Sequence, residues 1–192
     1  MHHRAAPSAP APRRHRIVLV GLALLGVAMA AVVVPPTLFG SDGDGDRADG
    51  VAVSVFDEGR PAVGRLDPDL LAALQAAATD AEANGIDLRV NSGWRSPEHQ
   101  QQLLEDAVAE YGSREEAARW VATPETSAHV SGDAVDVGPS AAAAWLSEHG
   151  AAWGLCRTYG NEPWHFELRP DAVAVGCPPP YADPTEDPRM QP

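Results

Sequence analysis

Residues 127–137 read SAHVSGDAVDV. His129 and Asp136 stand seven positions apart, an odd offset, so a single straight strand would send their side chains to opposite faces. Ser131-Gly132-Asp133 between them is turn chemistry. Beyond such a turn, Asp136 can occupy one face of AVDV while Val135 and Val137 bury the other. A bend here therefore lets an imidazole and a carboxylate converge on one point. A second stretch, GNEPWHFEL at 160–168, places His165 on a strand where Trp164, Phe166 and Leu168 alternate away from it. Two histidines and one carboxylate leave a fourth position for water, which is the composition of a catalytic zinc site rather than a structural one. Glu162, three residues before His165 and followed by the backbone-restricting Pro163, is placed to act on that water as a base without being a ligand. Taken singly, each of these histidines would read as an ordinary core or surface residue. His149 near a helix C-terminus and His99 in the first turn of a helix keep that plainer reading.

The flanking segments set the fold class. Asp67 and Pro68 form an N-cap and first helical residue, after which Leu70, Leu71, Leu74, Ala77, Ala78 and Ala81 recur at helical spacing as far as Gly85. IDLRV at 86–90 alternates as a half-buried strand does. Ser96 and Pro97 repeat the cap-plus-proline start for a helix to Tyr111, which Gly112 ends. SREE at 113–116 has capping-box spacing for a short helix through Val121. Ser140 is positioned to cap AAAAWLSEH, with Gly150 as its stop. Helices and short strands without a βαβ rhythm predict an α+β fold, with a small antiparallel sheet carrying the zinc site and helices flanking it.

The ends read differently. Residues 1–16 are basic, with Arg4, Arg13, Arg14 and Arg16 and no acid, and Ile17–Val34 carries no charge. We read 17–36 as a transmembrane signal anchor, or alternatively as a signal peptide cleaved near the AMA at 28–30. The arginines precede the apolar run and aspartates follow it. This charge bias keeps the N-terminus cytoplasmic and predicts a single-pass protein of the cell membrane with its domain outside, or a secreted one if the segment is cut. Residues 37–50 form a flexible acidic linker, 51–177 the folded domain, and the proline-rich 178–192 a disordered tail with few apolar side chains. A net charge of −13 makes nucleic acid an improbable partner, because phosphate binding needs the opposite sign. The two cysteines, Cys156 and Cys177, fall in the exported part, where a disulfide is commoner than a metal site; two unpaired buried thiols are the alternative.

SGWRSPEHQ (92–100), SAHVSGDAVDV and NEPWHFEL, in this order, resemble the three motifs of the VanY-type D-alanyl-D-alanine carboxypeptidases. These belong to the zinc peptidases that also include L,D-carboxypeptidases and D-Ala-D-Ala dipeptidases. The resemblance spans roughly residues 66–168. It implies that His129, Asp136 and His165 hold one Zn2+ and that Glu162 is the catalytic base. It also implies that Arg95 engages substrate near the scissile carbonyl, and that Gln100 and Ser127 help hold the terminal carboxylate. The implied partners are peptidoglycan stem peptides ending in D-alanine, with the membrane reached through the N-terminal helix. An L,D-carboxypeptidase or endopeptidase of the same family, and a zinc-containing wall-binding module without turnover, are the alternatives. Two departures from the family pattern stand out. Ala128 replaces a common glutamate, and the stretch from Gly154 to Glu162 is short, which bears on the pocket wall.

Overall fold

The computed structural model describes residues 52–190. The expected anchor at 17–36 and the expected linker at 37–50 lie outside the described residues, within which no helix is long and apolar enough to cross a membrane.

Five strands form one antiparallel sheet: β1 (Val53–Ser54), β2 (Arg89–Ser92), β3 (Ala134–Gly138), β4 (Leu155–Arg157) and β5 (His165–Leu168), in the spatial order β1-β2-β3-β5-β4. Among the described residues seven α-helical segments accompany it: α1 (Pro61–Gly64), α2 (Pro68–Ala83), α3 (Pro97–Tyr111), α4 (Arg114–Ala117), α5 (Ala128–Ser131), α6 (Ser140–His149) and α7 (Ala172–Val175). The predicted α+β class with a small antiparallel sheet is what the chain adopts.

α2 forms where its cap and periodicity place it. Asp67 Oδ1 accepts from the backbone N–H of Asp69 at 2.9 Å and of Leu70 at 3.1 Å, satisfying two donors that the first turn would otherwise leave unpaired. Its Leu70, Leu74, Ala77, Ala78 and Ala81 face the sheet and share one core with Val90, Val135, Val137, Leu155 and Phe166, closed on the same side by Ala142, Ala143 and Leu146 of α6. Each fully buried leucine or phenylalanine there contributes about 1.5–3 kcal/mol of transfer free energy. α3, capped by Ser96 and ended by Gly112 at φ +79°, carries Leu104 and Ala107 into a smaller cluster with Ala117 of α4.

Register decides what the opposite face carries. Asp136 is paired with His165 on one side and with Ser92 on the other. Because strand side chains alternate, Val135, Val137 and Phe166 enter the core, whereas Asp136, His165 and Glu167 emerge together on the other face.

Several expectations change. The strand predicted at 86–90 begins only at Arg89 and continues to Ser92, because the two residues of β1 pair with Arg89 and Val90 and give the preceding residues no partner. α4 ends at Ala117, short of Val121. Ser140 is the first helical residue, with Pro139 at the cap. α6 ends at His149 with Gly150 as its C-cap, as expected, but Gly150 keeps right-handed helical angles and leads into a 3-10 turn (Gly150–Trp153) that Gly154 ends at φ +75°. The predicted disordered tail is folded as far as Met190. It contains 3-10 turns at Pro184–Glu186 and Pro188–Met190, and it buries Asp183 and Asp187. Polar pairing fixes it in place of apolar burial. Cys156 and Cys177 form a disulfide that ties β4 to the start of this segment.

Candidate metal centre

His129 lies on a helical turn, not on a strand. α5 ends at Gly132, whose φ of +86° is the left-handed region; a Cβ there would sit 2.5 Å from the Arg65 carbonyl oxygen. The chain reverses at this glycine into β3, which solves the odd seven-residue offset. His129 Nδ1 lies 2.8 Å from the Gly93 carbonyl oxygen. A carbonyl only accepts, so the neutral ring carries its proton on Nδ1 and offers the lone pair of Nε2. His165 Nε2 lies 3.3 Å from Glu167 Oε1, which by the same reasoning makes Nδ1 the lone-pair nitrogen of the neutral ring.

These two nitrogens are 3.2 Å apart, and Asp136 Oδ1 stands 3.4 Å from the first and 3.3 Å from the second. Oδ1 is buried and has no hydrogen-bond donor among the described residues. Three potential ligand atoms thus converge at mutual distances of 3.2–3.4 Å, close enough to share one cation. A tetrahedral ion with bonds of about 2.0–2.1 Å holds its ligand atoms about 3.3–3.4 Å apart, which is the spacing found. His129, Asp136 and His165 therefore fit one zinc ion, each imidazole oriented by an outer acceptor as metal-bound histidines generally are.

The three groups sit in different electrostatic environments. Burial and the Arg95 cation hold His129 below its ordinary range, so it stays neutral as a ligand must. Burial works to raise Asp136, but the two imidazoles and Arg95 outweigh it and hold the carboxyl well below its usual value. His165 is raised to about 10 although burial opposes this, because Asp136, Glu167 and Glu162 all favour positive charge at that point; without a metal its Nδ1 also holds a proton, which a bound cation displaces.

Glu162 answers to a different environment. Its backbone carbonyl accepts from His165 N at 3.1 Å, forming a turn across Pro163 and Trp164 that brings Oε2 to 3.7 Å from His165 Nδ1. The side chain is 7% exposed, and burial raises its carboxyl to about 7, with Asp136 and Asp183 adding to the shift and His165 and Arg95 offsetting it. A carboxyl balanced near neutrality can both take and return a proton.

Arg95 donates through Nε to Ser92 Oγ (2.9 Å), through Nη1 to Gln100 Oε1 (3.2 Å) and through Nη2 to Asp136 Oδ2 (2.8 Å). A guanidinium has five N–H groups, so about two remain to face the pocket. Gln100 is 1% exposed, and its amide also donates to the Ala122 carbonyl at 2.9 Å. It holds Arg95 in place and lines the pocket wall. Ser127 is buried at the start of α5, makes no capping bond, and lines the same pocket. The cavity measures about 200 Å³, with the ligand cluster, Arg95 and Glu162 at its base, and Tyr111, Val121, Tyr159 and Trp164 among its walls. All of the residues singled out in sequence around the metal thus meet in one place. Sequence reasoning missed Ser92, the Gly93 carbonyl, and Glu167. Strand parity two residues past His165 was a signal for the last of these.

A buried pair of imidazoles and a carboxylate at the base of a pocket, beside a carboxyl of near-neutral pKa, defines a centre of the mononuclear zinc hydrolase class. Residues 64–171 match the family described as VanY, D-alanyl-D-alanine carboxypeptidase, and the chain belongs to it. A D-alanyl-D-alanine carboxypeptidase of Enterococcus faecalis is 33% identical over 127 residues, covering 53% of this chain and 47% of the relative. The chain thus spans about half the length of that curated relative. Among solved structures, the complex of VanYB with D-alanine-D-alanine is 29% identical with a TM-score of 0.53, covering 58% of this chain and 74% of that one. A mutant of the vancomycin resistance D,D-pentapeptidase VanY from a VanB-type resistance cassette, in complex with Zn(II), is 30% identical with a TM-score of 0.51, covering 57% and 74% respectively.

Proposed function

We propose that this chain is a zinc-dependent D,D-carboxypeptidase that removes the terminal D-alanine from peptidoglycan stem peptides. The observation that carries this reading is the convergence of His129 Nε2, Asp136 Oδ1 and His165 Nδ1 on one point, with Glu162 beside them. Zinc, when bound there, supplies an activated water near neutral pH and polarises the carbonyl under attack. Glu162 accepts the proton that the attacking water gives up and delivers it to the amine nitrogen of the departing D-alanine as the peptide bond breaks. The two uncommitted N–H groups of Arg95 supply a fixed cation where negative charge develops on the carbonyl oxygen. Gln100 keeps that guanidinium oriented, and the remaining Gln100 N–H and the Ser127 hydroxyl serve the terminal carboxylate. The domain works outside the cytoplasm, held by residues 17–36 in the membrane, where a disulfide between Cys156 and Cys177 is chemically at home.

The test is incubation of the zinc-loaded full chain with tri-, tetra- and pentapeptide stems, with the products weighed by mass spectrometry. Loss of a single alanine from the pentapeptide is expected. Cleavage of the tetrapeptide alone would assign an L,D-carboxypeptidase, internal cleavage an endopeptidase, and stoichiometric zinc with no cleavage of any stem a binding module.

A further inference from the structure

Segment 178–190 lies beyond the region matched to the family, yet it reaches both ends of the stretch that carries Glu162 and His165. Upstream of Glu162 the contact is through backbone. Tyr181 N donates to the Thr158 carbonyl at 3.0 Å, Gly160 N to the Tyr181 carbonyl at 2.7 Å, and Asn161 N to the Ala182 carbonyl at 3.1 Å. Three consecutive bonds thus fix the chain that leads directly into Glu162. Arg119 Nη2 adds an ion pair to the buried Asp183 at 3.1 Å.

Behind His165 the contact is through charge. Arg189 donates from Nη1 to Glu167 Oε2 at 2.6 Å and from Nη2 to Glu167 Oε1 at 3.1 Å, a two-bond fork on the carboxylate that receives His165 Nε2–H. Arg169 holds Oε2 as well, at 2.9 Å. Arg189 is itself fixed by Asp187, which accepts from its Nε and Nη2, and Asp187 Oδ2 takes a further bond from the Tyr159 hydroxyl at 3.1 Å. The Tyr159 ring lies 4.9 Å from the His165 ring. Pro184 and Met190 of the same segment line the pocket.

We propose that segment 178–190 is a strap that positions the metal centre, with Arg189 as its positioning residue acting on His165 through Glu167. Resting on the zinc reading above, the proposal has a distinct physical basis. Glu167 is 1% exposed, and with Arg189 forked across both of its oxygens the carboxylate is held in one orientation toward His165. A loosely held Glu167 no longer fixes which nitrogen of His165 bears the proton or how the ring is turned, and metal affinity falls.

The experiment measures zinc affinity of the full chain by competition with a chromophoric chelator, together with the visible absorption of the cobalt-substituted protein. Arg189→Met is expected to weaken zinc about tenfold and to alter the cobalt spectrum, while Arg189→Lys, which keeps one bond and the charge, loses about threefold. In a Glu167→Gln background the added effect of Arg189→Met should vanish, since the path to His165 is already cut. Native zinc affinity in folded Arg189→Met, or an equal loss from it in the Glu167→Gln background, overturns the proposal. Should Arg189→Met fail to fold, unchanged zinc affinity in Arg189→Lys overturns it equally. An unmodified chain that fails to bind one zinc ion would instead refute the metal-centre reading.

Discussion

Replacing Glu162 by glutamine removes one ionisable group and almost nothing else. The side chain is 7% exposed and its position is set by the turn through the Glu162 carbonyl and His165 N, which the substitution leaves intact. The three converging ligand atoms belong to His129, Asp136 and His165, so stoichiometric zinc is retained, although loss of a negative charge near the cation weakens its hold. The assay is therefore run at saturating zinc with metal content measured on the same sample. A carboxyl raised to about 7 can act as proton acceptor and then as donor, whereas an amide can do neither. Turnover on a pentapeptide ending in D-Ala-D-Ala should fall by about 10² to 10⁴, equivalent to about 2.7–5.5 kcal/mol of barrier, with the loss in kcat rather than in KM. A variant that carries one zinc and turns over within about tenfold of the unmodified chain refutes the role given to Glu162.

The same carboxyl gives a signed pH prediction: proton transfer needs Glu162 ionised, so activity falls as pH drops through its pKa. In the metal-free chain an NMR titration of Glu162 should show a midpoint at about 7, lowered when zinc is added, and the acid limb of kcat/KM should be flattened in Glu162→Gln. His129→Ala should lose zinc itself, because it removes one of three ligand atoms from a centre with an open position, and equilibrium dialysis checks this. Replacing Cys156 and Cys177 by alanine opens a bridge of sequence separation 21, which should cost about 3 kcal/mol and lower the melting midpoint by roughly 10 °C in calorimetry.

What could be read in the sequence was whatever local chemistry dictates. Asp67-Pro68 and Ser96-Pro97 announce α2 and α3 because a cap and a preset φ act within one turn of chain. The parity of His165 and Asp136 was likewise visible, since alternation along β3 and β5 follows from the strand itself. β1 was not visible, because two residues carry no period and exist as a strand only through pairing with β2. His129 reached the right point by a different path from the one expected. A bend was required, and the chain met the requirement with a helical turn closed at Gly132, which pattern alone does not distinguish from a reverse turn.

The folded tail exposes the limit of composition as a criterion. Counting apolar side chains over 178–192 predicts disorder, because such a segment has too little surface to bury against the entropy of ordering it. The count ignores what the rest of the domain leaves unpaired. Strand parity puts Glu167 on the same face as His165, and a carboxylate at that depth is costly without cationic partners. Arg189 supplies one, Asp187 and Tyr159 fix Arg189, and backbone bonds at 158–161 carry the segment there. The sequence thus contains a demand at Glu167, readable from parity, whereas which arginine meets it depends on contacts between residues 22 apart. Order in this segment is therefore enforced by a charge buried elsewhere, and it should weaken in Glu167→Gln even though no residue of the segment is changed.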